Sequence, residues 1–71
     1  MPYFYNLPGF ALMISQRNDG RWVLSVNGDP MGAYFSPQQA ADDAATQHTG
    51  DSAYDDSPVA APEDLGEWSS R

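Results

Sequence analysis

Gly32-Ala33-Tyr34-Phe35-Ser36-Pro37-Gln38-Gln39-Ala40-Ala41 joins a short strand to the clearest helix of this chain. Ser36 stands where an N-cap belongs, with a hydroxyl for the exposed amides of the first turn. Pro37 follows at the first helical position, where its missing N–H costs nothing, and Gln39 is placed to reach back as a capping box. The helix is expected over Pro37 to His48. Ala41, Ala44, Ala45 and His48 then fall at i, i+3, i+4 and i+7 on its inner face, with Asp42 and Asp43 outside. Thr49-Gly50 is expected to end it, Gly50 taking the left-handed C′ conformation.

A face of small residues must approach its sheet closely, so the bulky side chains have to come from strands. Upstream, Phe10 to Arg17 alternates, with Phe10, Leu12 and Ile14 on one side and Ala11, Met13 and Ser15 on the other. Asn18-Asp19-Gly20 supplies a hairpin turn. Arg21 to Val26 is a second strand, with Trp22, Leu24 and Val26 sharing a face. Asn27-Gly28 is a second turn, lengthened by Asp29-Pro30, before a third strand at Met31 to Phe35. Met1 to Gly9 reads as a short edge strand or an arm, broken at Pro8-Gly9. The expected core is Phe10, Leu12, Ile14, Trp22, Leu24 and one of Tyr34 or Phe35. The fold class is α+β: a three-stranded antiparallel β-meander packed against one C-terminal α-helix (βββα) over residues 1–50.

Residues 51–71 change character. The net charge of −7 lies wholly in the last 30 residues, where Asp42, Asp43, Asp51, Asp55, Asp56, Glu63, Asp64 and Glu67 face Arg71 alone. Arg17 and Arg21 cancel Asp19 and Asp29 in the first 41. Asp, Ser, Ala, Pro, Gly and Glu dominate beyond Gly50, so an acidic, mostly irregular and partly disordered tail is expected. Pro62 to Trp68 is the exception, with Leu65 and Trp68 at i and i+3 of one turn, ready to dock on the domain or on a partner.

Seventy-one residues allow one domain near the lower size limit for an unstapled core. There is no cysteine, which excludes disulfides and thiolate metal sites. The start Met1-Pro2-Tyr3-Phe4 lacks the basic and long apolar regions of a signal peptide, and no apolar run approaches the roughly 20 residues that span a bilayer. A cytoplasmic protein without membrane contact is the expectation.

Catalytic chemistry finds little to work with. Asp51, Asp55 and Asp56 match no calcium loop, and a flexible acidic segment supplies no cleft for acid–base work. His48, the one histidine, is explained by a helix C-terminus, and Ser15, Ser25 and Ser36 sit in no nucleophile-elbow pattern. Neither a cofactor nor a metal is expected, and the chain reads as a non-enzyme. A three-stranded sheet with one helix leaves the opposite face open. Met13, Val23, Ser25 and one of Tyr34 or Phe35 would line it, making the apolar and aromatic residues among them, with Leu65 and Trp68, the expected partner-binding set. The reading is a small protein-binding or adaptor module, with a homodimer through the open face as one form. A DNA-mimic inhibitor presenting its carboxylates is a further alternative.

Gln16-Arg17, Gly20-Arg21-Trp22 and Gly32-x-Tyr34-x-Ser36-x-x-x-Ala40-Ala41 resemble the strand and strand–helix signatures of the APETALA/ethylene-response-factor domain. That family is a three-stranded-sheet-plus-helix DNA reader, and the likeness spans roughly residues 14 to 45. The chain is similar as well to small bacterial domains of unknown function. The resemblance implies nucleic-acid binding through Arg17, Arg21 and Trp22. Electrostatics points the other way, because phosphate contacts dominate such affinity and three bases against ten acids supply few of them.

Overall fold

Tight turns and one bulge decide how the strands lie side by side. The computed structural model describes residues 2–70 and contains a five-stranded antiparallel sheet in the order β4-β3-β2-β1-β5. β1 (Tyr3–Leu7), β2 (Phe10–Gln16), β3 (Trp22–Val26) and β4 (Asp29–Tyr34) follow one another as a meander, and β5 (Ser69–Ser70) returns to pair with β1. This corrects the three-stranded expectation at both ends of the chain. Residues 3–7 are neither arm nor edge: they form an internal strand, paired with β2 on one side and β5 on the other. Met1 and Arg71 lie outside the described residues.

Asn27 and Gly28 have φ of 52° and 87°, the pair of positive values that a two-residue hairpin of matching twist demands. The Ala11 N–H donates to Asn27 Oδ1 at 2.8 Å, and the Asn27 N–H returns a bond to the Ala11 carbonyl at 2.8 Å, locking the turn onto β2. Asp29-Pro30 therefore opens β4 instead of lengthening the loop. The register jumps from Leu24↔Gly32 to Ser25↔Pro30, leaving Met31 as the extra residue of a bulge. Pro30 is tolerated because β4 is an outer strand, with no neighbour asking for its N–H.

The register sorts side chains between faces. Leu12, Ile14, Leu24 and Val26 are buried on one face, flanked by half-buried Tyr3, Tyr5, Leu7, Phe10, Trp22 and Tyr34. Helix α1 (Pro37–Ala45) lays Ala40, Ala41 and Ala44 against them, all fully buried. The Gln39 N–H donates to Ser36 Oγ at 3.2 Å, as the cap requires; the reciprocal bond, from the Phe35 N–H to Gln39 Oε1 at 3.0 Å, lands one residue before it. The helix stops three residues short of His48. The Gln47 N–H donates to the Ala44 carbonyl and the His48 N–H to that of Asp43, a Schellman arrangement with Gln47 in the left-handed C′ position at φ 58°. Gln47 accepts that backbone because its side chain is used: Nε2 donates to the carbonyls of Tyr54 (2.9 Å) and Ser57 (2.6 Å). Ala45 and exposed His48 are thus replaced on the inner face by Ala40.

The expected irregular tail is the second half of the covering layer. Asp51 caps a single turn, α2 (Ser52–Asp55), by accepting from the Tyr54 N–H at 3.0 Å. Tyr54 is fully buried with its ring edge against Phe10, centroids 5.4 Å apart. Its hydroxyl donates to the Ala44 carbonyl at 2.7 Å and accepts from the Ala61 N–H at 2.9 Å, tying the segment to α1. A 3₁₀ turn at Leu65–Glu67 then delivers Trp68, 5% exposed, onto Tyr5 at 5.7 Å. The Trp68 indole N–H is satisfied by the Pro62 carbonyl at 2.8 Å. α1 is therefore not C-terminal in the architecture, and the covering layer runs on to β5.

Candidate functional site

With α1 and residues 51–68 on one face, the other face of the sheet is left uncovered, and the register specifies what it presents. One row across the strands is Ser69–Phe4–Met13–Ser25–Pro30, and the next is Ser15–Val23–Ala33. Beyond them, at the β2–β3 end, come Arg17, Arg21 and Phe35. Ser15, Arg17, Val23, Pro30, Met31, Gly32 and Ala33 line a shallow cleft of about 530 Å³. Its floor is low because Ser15, Gly32 and Ala33 carry little side chain.

Phe35 is 76% exposed, a large apolar surface to leave in water. The Arg21 guanidinium lies 4.9 Å from its ring centroid, a cation–π contact that holds both side chains in place. Arg17 and Asp19 form the one ion pair among the described residues, at 3.7 Å and with both side chains more than half exposed. The acids from Asp42 onward belong to α1 and the segment after it, and two of them, Asp42 and Asp43, line a second cleft with Ala33, Tyr34 and Phe35.

Met13, Val23 and Phe35 share the open face. Tyr34 does not. Its hydroxyl donates to Asp43 Oδ2 at 2.8 Å on the covered side. Burial first, then that hydrogen bond and the charges of Asp43 and Asp55, push its pKa up to about 12. Asp43 is accordingly half-buried and bonded, not on the outer side of the helix. Leu65 and Trp68 pack on the covered core, so the expected partner set is divided between two sides of the sheet. Of the nucleic-acid alternative, Arg17 and Arg21 are brought together, whereas Trp22 points into the core with its ring 6.1 Å from Tyr3. Ser15 and Ala33 were within reach of strand alternation once Val23 was placed; Pro30 and Met31 were hidden by the bulge.

Three of the residues weighed for catalysis have structural work. Ser36 and Asp51 are caps. Asp55 accepts from the Thr49 N–H (3.1 Å), the Thr49 hydroxyl (2.8 Å) and the Gly50 N–H (3.0 Å). Burial alone would raise its pKa, but these bonds, Thr49's foremost, and the nearby His48 outweigh burial and hold it below the ordinary aspartate value. A lowered carboxylate adds stability above its unfolded pKa, and that stability is lost as pH falls through the folded value. Asp55→Asn is expected to be less stable than the native chain at neutral pH, with the gap shrinking in acid as pH falls through the carboxyl's lowered folded value. Urea melts at neutral and acidic pH check this; a gap that fails to shrink contradicts it.

Among the described residues no three His, Asp or Glu side chains are grouped to hold a metal ion, and no helix is long and apolar enough to cross a membrane. Comparison with protein-family models, curated proteins and solved structures finds no match to this chain.

Proposed function

We propose that this chain is a non-catalytic protein-binding module whose contact surface is the uncovered sheet face. One observation carries the reading: helix and C-terminal segment both cover the same side, leaving Met13, Val23, Ala33 and the Arg21–Phe35 pair exposed or half-buried on the other. An apolar patch rimmed by polar groups is the kind of surface that protein partners cover. The test compares partner recovery from the native host on full-length Val23→Lys, Met13→Asp and Glu67→Lys baits. Loss on the first two with retention on the third supports the reading; equal recovery on all three overturns it.

A second reading takes the face as a single-strand nucleic-acid platform. The exposed Phe35 ring beside Arg21 favours it, since a base can stack on an aromatic face next to a cation.

A further inference from the structure

We propose that the partner is held through an acidic, extended peptide segment laid across the open face, its carboxylates on Arg17 and Arg21. This rests on the binding-module reading and names the chemistry of what is bound.

The relief of the surface comes first. The Ser15–Val23–Ala33 row and Gly32 make a floor with nothing tall on it, so a peptide main chain can lie close. The sheet edge beside it is a poor alternative, because Pro30 and the bulge at Met31 break the ladder that an added strand would continue.

Charge then selects the peptide. Arg17 and Arg21 are the two basic side chains of the described residues outside the histidine, and both stand at one end of this floor. The Arg21 guanidinium lies 4.9 Å from the Phe35 ring centroid and has no carboxylate within ion-pair distance among the described residues, so its fork of donors can meet one from a partner. Arg17 has only the exposed 3.7 Å pair with Asp19, of a kind that contributes little and exchanges readily for a partner's carboxylate. The eight acids from Asp42 onward would repel an anion at long range. Of these, Asp42 and Asp43 line a neighbouring cleft with Ala33 and Phe35, whereas the floor's own cleft is lined by no acid and has Arg17 as its one charged side chain, so a guanidinium sets the local sign there. A nucleic acid is the poorer fit, since its regularly spaced phosphates call for more than two cations.

The test is an NMR titration of the ¹⁵N-labelled full chain with three probes: a blocked hexapeptide alternating glutamate and valine, its glutamine counterpart, and a single-stranded oligothymidine. The glutamate peptide is expected to shift the amides of Arg17, Arg21, Val23, Ala33 and Phe35. The glutamine peptide, or Arg21→Gln with the glutamate peptide, should bind about tenfold more weakly, the value of one charge-assisted pair. Added salt should weaken the glutamate peptide too. Equal binding of the glutamine peptide, tighter binding of oligothymidine, shifts confined to α1 and residues 51–68, or no shifts at all would each overturn the proposal. If the glutamate peptide fails while Val23→Lys still abolishes partner recovery, the binding-module reading survives and the acidic-peptide assignment falls.

Discussion

A chain ending at Gly50 is expected not to fold cooperatively. It would lose Tyr54, Ala61 and Trp68, three members of the buried cluster, and with them the cover over Phe10 and Tyr5. Tyrosine and tryptophan side chains bury roughly 150–250 Å² each, which at ~25 cal/mol per Å² is about 4–6 kcal/mol apiece as an upper bound. A chain of this length holds about 4–11 kcal/mol in total at the usual stability per residue. The loss is as large as the stability itself. α1 cannot compensate, because its inner face is three alanines. Circular dichroism melts and amide dispersion of the truncated chain beside the full one check this; a dispersed spectrum and a sigmoidal melt from the truncation would show that residues 51–71 are dispensable.

Tyr54→Phe isolates one atom of the same claim. The ring and its contact with Phe10 remain, while the hydroxyl that joins the Ala44 carbonyl to the Ala61 N–H is removed. The Ala44 carbonyl keeps the Gln47 N–H, but the Ala61 N–H is left buried, its residue being 3% exposed. An orphaned buried donor costs about 1–3 kcal/mol and a lost bond about 1 more, so a destabilisation of about 2–4 kcal/mol is expected. Urea unfolding should show a lower midpoint at unchanged slope. A midpoint equal to that of the native chain would mean that the hydroxyl reaches water instead.

The local devices of this fold were legible in the residues. Ser36-Pro37 starts the helix, Asn27-Gly28 turns the hairpin, and the alternation from Phe10 to Val26 assigns the two faces, because each depends on neighbours a few positions away. The open face was legible for the same reason: Met13 and Val23 have the parity opposite to the core. The covering layer was not. Trp68 carried one sign, its i, i+3 spacing from Leu65, but Tyr54 and Ala61 follow no helical or strand period, and among acids and prolines all three look too sparse to pay for ordering themselves. They are ordered because each completes a surface made elsewhere: Tyr54 on Phe10 and Ala44, Trp68 on Tyr5, Ser69–Ser70 on β1. Asp51, three residues before Tyr54, was the local sign of a cap, and its charge drew the solvated reading instead. β1 was missed as an internal strand since its second neighbour arrives more than sixty residues later.

The central claim is that residues 51–68 and α1 cover one face of the sheet and leave the other bare. The native chain has no cysteine, so single thiols report on each side without background. Ala33→Cys and Ala61→Cys are matched substitutions, one on the open face and one 3% exposed within the covering layer. In native buffer, maleimide should modify Ala33→Cys at the rate of the denatured chain and Ala61→Cys far more slowly, catching up only in urea. Ala61→Cys reacting as fast as Ala33→Cys in native buffer would contradict the account.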